Sequence, residues 1–172
     1  MTGKNYFYKM KRIFIAIILI AAFQKVDAQS DSIPVYQRFP ILPVFNIMTA
    51  PDSLKFTKDD LKKKKPTVII LFSPDCSHCQ IVTKDLIEHI DLYKKAQIIM
   101  VSSLDFNNIK KFYEDYKIAD HPNITMGRDG SYFLGSFYKI TSFPSIFVYN
   151  KKGKFVKSFE GSVKMEKIAE SL

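Results

Sequence analysis

Two residues carry most of the chemistry this sequence can offer. Cys76 and Cys79 are the only cysteines in 172 residues, and they stand three apart in the stretch FSPDCSHCQ, residues 72–80. At that spacing a pair can be a redox-active dithiol, part of a soft-metal site, or a bridge over a very short loop. A bridge across a two-residue gap constrains the unfolded chain little, so it makes a poor staple. Structural zinc takes four ligands, and the sequence has no second CxxC and no paired histidines. Copper(I) held by the two thiolates, with His78 between them, stays open as an alternative. His89 and His121, the remaining histidines, lack ligand spacing and read as a helix-surface and a loop residue.

Which reading applies depends on the compartment. Lys9, Lys11 and Arg12 precede an uncharged apolar run, residues 13–23, and Val26-Asp27-Ala28 supplies the small residues a signal peptidase reads. Residues 1–28 therefore read as a secretory signal peptide. The apolar run is too short to span a bilayer, which needs roughly 20 residues, so no stable membrane span is expected after processing. No cysteine lies near the cleavage site to take a lipid anchor. Removal of residues 1–28 takes away five Lys/Arg and one Asp and lowers the net charge from +9 to +5. That excess, with the run Lys62–Lys65 ending at Pro66, reads as a solvated surface rather than a nucleic-acid site. In an exported protein a cysteine pair can be oxidised.

The elements that must position the pair follow from periodicity. Residues 67–72, TVIILF, form a continuous apolar and β-branched run bounded by Pro66 and Ser73-Pro74, the pattern of a strand buried on both faces. From Cys76 to about Lys95, Val82, Leu86, Ile90 and Tyr93 recur at helical intervals, with Asp75 as a candidate N-cap. Residues 29–40 read as an irregular lead-in. Residues 42–47 read as a strand with Pro43 suiting an edge, paired to residues 54–56, and residues 57–61 as a helical turn capped by Thr57. Further strands are expected at 96–102, 145–149 and 154–159. Helices are expected from Asp105 (Ile109, Phe112, Tyr113 and Tyr116 on one face), over 131–138, and from Ser162 to the end with Met165, Ile168 and Leu172 inward. Residues 119–130 read as loop. Strands alternating with helices predict an α/β fold with a mixed central sheet.

The pair thus falls where a buried strand gives way to a helix. Cysteines three apart on a first helical turn share a face, at a Cα separation of about 5–6 Å that suits a disulfide. Unpaired N–H groups and a partial positive charge at the helix start favour thiolate. A cysteine so placed can drop from a pKa of about 8.5 to roughly 3.5–7.5. Cys76 is then the exposed nucleophile and Cys79 the resolving thiol. His78 as imidazolium would stabilise the Cys76 thiolate and make the disulfide more oxidising.

Strand, FSPDCSHC, helix resembles the active site of the thioredoxin superfamily. A second element agrees: in TSFPS, residues 141–145, Pro144 stands before a strand about 65 residues after the pair. The resemblance implies a cis-proline there, with Pro144 and the backbone of Phe143 facing the cysteines and holding a substrate chain. The extra strand pair ahead of the core resembles the exported TlpA/ResA-like branch. On that basis the chain divides into a signal peptide (1–28), a lead-in (29–40) and a thioredoxin-like domain with an N-terminal β extension (41–172), located in the bacterial periplasm.

Two positions depart from thioredoxin. Phe72 stands where its motif has a Trp, and Ile70 stands where it buries a carboxylate in the preceding strand. The x-His dipeptide resembles DsbA and protein disulfide isomerase, which oxidise or isomerise, whereas the layout resembles reductants, so the direction of electron flow stays open. The implied activity is thiol–disulfide exchange with protein thiols or disulfides, with a redox donor or acceptor that could be membrane-bound and no cofactor beyond the cysteines. A peroxiredoxin-like peroxidase is a further alternative: Ser73 matches the hydroxyl position ahead of its cysteine, while Ile69 occupies the position of its proline.

Overall fold

Thr67–Leu71 (β3) is the strand the apolar run predicts, and all five of its residues are buried. The computed structural model describes residues 33–172, so the signal-peptide reading of residues 1–28 lies outside the described residues. β3 sits inside a seven-stranded sheet of order β2-β1-β5-β4-β3-β6-β7. The other strands are β1 (Asn46–Thr49), β2 (Leu54–Thr57), β4 (Gln97–Ser102), β5 (Ile124–Arg128), β6 (Ser145–Tyr149) and β7 (Phe155–Glu160). β3, β4 and β5 run parallel; β6 is antiparallel to β3, and β1 to β5. The mixed α/β sheet with flanking helices is as expected.

Alternation along the central strands divides the core in two. Val68 and Ile70 of β3, Ile98 and Met100 of β4 and Ile146 and Val148 of β6 face one cluster. Helices α2 (Ser77–Glu88), α3 (Phe106–Asp115) and α5 (Met165–Ala169) cover it with Cys79, Leu86, Ile109, Phe112 and Ile168. Ile69, Leu71, Ile99, Val101, Phe147 and Tyr149 face the other cluster, under α1 (Val35–Arg38) and α4 (Phe133–Tyr138). A fully buried Leu86 or Ile69 contributes about 1.5–3 kcal/mol by leaving water. Among the described residues no helix is long and apolar enough to cross a membrane.

Several expectations need correction. Residues 119–130 are not all loop: β5 lies within them, paired to β1 and β4. Its Gly127 is needed for close approach, since a Cβ there would stand 2.6 Å from the Met48 carbonyl oxygen. The lead-in contains α1, whose buried Tyr36 meets Phe147 and Phe155 edge-on. The first strand is Asn46–Thr49 rather than 42–47, and it is interior; Ile41 instead bridges Lys154, and the Leu42 amide donates to the Gly153 carbonyl. The long helix from Cys76 stops at Glu88, and a separate 3-10 turn, Ile90–Tyr93, follows. The last helix is shorter than expected, and Leu172 lies beyond it, 40% exposed.

Other expectations hold. The Asp60 carboxylate accepts from both the backbone N–H and the hydroxyl of Thr57, closing the predicted turn. Asp105 caps α3 by accepting from the Asn107 amide. Lys62, Lys63 and Lys64 are exposed, and the buried Gln97 side chain ties down their loop through both backbone groups of Lys62.

Candidate functional site

Because β3, β4 and β5 are parallel, the loops after them open at one end of the sheet. The N-terminus of β6 joins them there, with Ser145 opposite Leu71. Ligand crevices of open α/β sheets form at such carboxyl ends. FSPDCSHCQ occupies this end. Phe72 continues past β3, its amide donating to the Val101 carbonyl, and it is buried against Phe112. Pro74 is buried too, and its carbonyl accepts from the Gln80 side chain. The chain then turns, with the Cys76 amide donating to the Ser73 carbonyl.

Cys76 itself is the N-cap of α2, with extended backbone at φ −88°, ψ 117°. The expected cap, Asp75, lies one residue too early and is exposed. Cys76 thus stands at the doorstep of the helix rather than in its first turn, where the unpaired N–H groups of that turn lie. Its thiol is half-buried and free. Sγ lies 3.7 Å from the Phe143 carbonyl oxygen and donates to it. Phe143 and Pro144 are joined by a cis peptide bond, the geometry the resemblance implies; a second cis bond, Ala50–Pro51, was not foreseen.

Cys79 is one turn in, 1% exposed. It packs in the same core cluster as Ile70 and Phe72, with Cys76 at the margin. Burial pushes its thiol up to about 12; backbone hydrogen bonds involving Ser73 and Cys79 itself pull down, and the neighbouring Cys76 pushes up further. The two sulfurs therefore differ in kind. One is accessible beside a carbonyl that no sheet ladder uses, and the other is held neutral in an apolar wall. Ile70 offers no proton to that wall.

His78 is exposed and its Nδ1 lies 2.8 Å from the Ser162 hydroxyl, in the turn after β7. The expectation placed this ring beside Cys76; its hydrogen bond goes to Ser162. Ser162 carried no signal in the sequence, because it lies 84 positions away and only the fold brings it near. His89 is not a free surface residue: it joins Asp85 and Glu166 where α2 ends, with Nε2 3.0 Å from the Glu166 carboxylate. Among the described residues Asp85, Glu88 and His89 form the one group of three ligand-type side chains. It includes neither cysteine.

Comparison with known proteins agrees with this fold. A family model described as a thioredoxin-like domain matches residues 57–172. No curated protein sequence matches the chain. Solved structures that share its fold include StoA from Bacillus subtilis, at 19% identity and TM-score 0.57 over 76% of this chain and 97% of that one. A secreted Mycobacterium tuberculosis disulfide oxidoreductase, homologous to Escherichia coli DsbE, aligns at 16% identity and TM-score 0.62 over 74% and 92%. The exposed lipoprotein thioredoxin of Streptococcus pneumoniae strain TIGR4 aligns at 23% identity and TM-score 0.58 over 76% and 100%.

Proposed function

The chain belongs to the thioredoxin-like domain family, and on that premise we propose that it is a thiol–disulfide oxidoreductase acting on protein substrates outside the cytosol. The observation that carries the reading is the asymmetry of the pair. Cys76 is half-exposed at the start of α2, 3.7 Å from the carbonyl that precedes Pro144, while Cys79 is buried directly behind it.

In the reducing direction, the Cys76 thiolate attacks one sulfur of a substrate disulfide. A mixed disulfide forms, and the other substrate sulfur leaves as a thiolate that takes up a proton. Cys79 then gives up its proton and attacks Sγ of Cys76. The Cys76–Cys79 disulfide closes and the second substrate thiol departs, so two electrons pass from the pair to the substrate. Bond formation at Cys76 helps this second step. The thiolate that pushes the Cys79 pKa upward is consumed in the mixed disulfide, which leaves burial as the main opposing cause. Ile70 in the wall takes no proton, so the proton passes to water or to another group. Run backward, the same steps oxidise a substrate dithiol. The Phe143 carbonyl and Pro144 border the sulfur and are the positions to receive the backbone of a substrate strand.

The extracytoplasmic location rests on the basic, apolar and small-residue pattern of residues 1–28. It is supported by similarity to proteins described as secreted and exposed. The partners are protein thiols or disulfides, with a redox donor or acceptor that restores the pair. Exchange between the purified protein and a disulfide-bonded peptide tests the reading. Cys76→Ser should abolish exchange and Cys79→Ser should accumulate a mixed disulfide; an unchanged rate in Cys76→Ser would overturn it. The reduction potential against glutathione sets the direction: a value near about −270 mV makes it a reductant, and one near about −120 mV an oxidant.

A further inference from the structure

The end of the sheet opposite the cysteines gathers lysines that the exchange chemistry leaves unused. Thr67, the first residue of β3, pairs with Gln97, the first of β4, and with Tyr149, the last of β6. The segments beyond those residues therefore lie side by side: residues 62–65 ahead of β3, Lys94 and Lys95 ahead of β4, and the turn 150–154 that joins β6 to β7. Together they carry nine lysines and no acidic residue. All nine are exposed except the half-buried Lys65. Three adjacent strands span about 10 Å, close to the Debye length of about 8 Å at physiological salt, so the lysines act as one field. The turns leading into β3, β4 and β5 add Asp59, Asp60, Asp91 and Asp120. Asp60 is bonded to Thr57, and Asp91 pairs with Lys94 at 2.8 Å. Glu88, which ends α2, lines the groove toward α3. A clear cationic excess remains.

An apolar strip runs beside the lysine turn. The Leu42 amide donates to the Gly153 carbonyl, the Phe155 amide donates to the Pro40 carbonyl, and Ile41 bridges Lys154. These bonds fasten residues 39–44 alongside the turn, with Phe39 59%, Ile41 56% and Val44 76% exposed. The three side chains line a recess of about 390 Å³ with Phe133 and Phe137. Its one cation is Lys58, and among the described residues no carboxylate lines it. Arg38 lies over the Phe39 ring, 5.9 Å from its centre. A contiguous group of large apolar side chains left in water marks an interaction surface.

We propose that this end is a docking surface for an anionic phospholipid membrane. The lysines meet headgroup phosphates, and Phe39, Ile41 and Val44 enter the boundary between headgroups and acyl chains. Charge and apolarity together decide the occupant. A two-fold contact between copies of this chain would set the lysine field against itself. A nucleic acid or an acidic protein would satisfy the lysines and leave the apolar strip in water. A lipid leaflet supplies negative charge and an apolar layer side by side. The same strands that start at the lysines end at the cysteines, with Leu71 opposite Ser145. Docking by the lysine end therefore turns Cys76 toward the aqueous side, open to soluble polypeptides.

Partition of the full chain onto vesicles, read by flotation, provides the test. The vesicles are phosphatidylcholine alone or an equimolar mixture with phosphatidylglycerol. Binding should favour the anionic vesicles and weaken as salt is raised. Lys151→Gln with Lys152→Gln should lower the partition coefficient on anionic vesicles by about tenfold or more, at about fivefold per lysine. Lys84→Gln with Lys110→Gln removes the same charge from exposed positions on α2 and α3 and should change it by less than about threefold. Residues 1–28 are common to every variant and cancel from these ratios. Phe39→Ser with Val44→Ser should lower it by about tenfold at unchanged charge. A bulky maleimide should label Cys76 as fast on vesicles as in solution. All substituted side chains are exposed, and urea midpoints verify that each variant is folded. Equal losses in the two lysine pairs, or tight binding to phosphatidylcholine alone, overturns the proposal. No loss in the Phe39 and Val44 variant, with full displacement by soluble polyglutamate, shows an acidic polypeptide as the occupant and overturns it too. Slowed labelling on vesicles overturns the orientation. Each readout is independent of thiol–disulfide exchange, so the exchange function stands or falls separately.

Discussion

Burial of Cys79 has a consequence that can be measured sulfur by sulfur. In Cys76→Ser the only thiol is Cys79, 1% exposed in the core cluster under α2. Burial is the largest cause raising it to about 12, and that cause survives the substitution even though the smaller push from Cys76 disappears. At pH 8 an ordinary cysteine, pKa about 8.5, is about one-quarter thiolate. A thiol at about 12 is about one part in ten thousand thiolate, so alkylation should slow by up to about 2,000-fold. Allowing for the lost Cys76 contribution, at least about a hundredfold is expected between native and guanidinium-unfolded protein. Iodoacetamide with mass-spectrometric readout measures both states. The pH profiles should also diverge. The unfolded rate flattens above about pH 8.5, while the native rate keeps rising with unit slope to about pH 10. The sign for stability follows. A thiol raised in the fold favours the protonated state, so its contribution is fully present below about pH 8.5 and is lost as pH rises toward 12. Native and unfolded rates within tenfold of each other at pH 8 would refute the buried-resolving-thiol reasoning.

Other outcomes follow from single contacts. Gly127→Ala forces a Cβ to 2.6 Å from the Met48 carbonyl oxygen at the β1–β5 junction, and should cost about 1–3 kcal/mol in urea unfolding; a change under about 0.5 would mean that β1 parts freely from β5. Tyr93→Phe removes a buried hydroxyl that donates to the Met165 carbonyl at 2.6 Å, leaving that acceptor without the bond. The expected loss is about 1 kcal/mol, measured by the same unfolding. His78→Ala should move the Cys76–Cys79 potential by less than about 30 mV, a tenfold change in equilibrium constant, because the ring is bonded to Ser162. A larger shift would show that the imidazole acts on the sulfur after all.

The sequence by itself determined the parts that depend on local pattern. TVIILF had to be a buried strand because it has no polar face to turn outward, and all of β3 is buried. The helix after it, and the different surroundings of Cys76 and Cys79, follow from apolar spacing and from one residue lying at the helix start while the other is a turn inside. Thr57 and Asp105 marked their turns because their partners lie only two or three residues away: the Thr57 hydroxyl and amide donate to the Asp60 carboxylate, and the Asp105 carboxylate accepts from the Asn107 amide. Where order depended on distant neighbours, the tertiary structure decided. β5 contains a glycine and is flanked by turn residues, so it reads as loop; it is a strand because β1 and β4 lie on either side to take its backbone hydrogen bonds. Cys76 rather than Asp75 caps α2, because the Ser73–Cys76 turn sets the phase of the helix. His78 turns to Ser162, and Phe143 brings its carbonyl to Cys76, across 84 and 67 positions of chain. No local periodicity encodes those approaches. They arise when strands far apart in the chain pair, and that pairing determines which side chains stand around the sulfur.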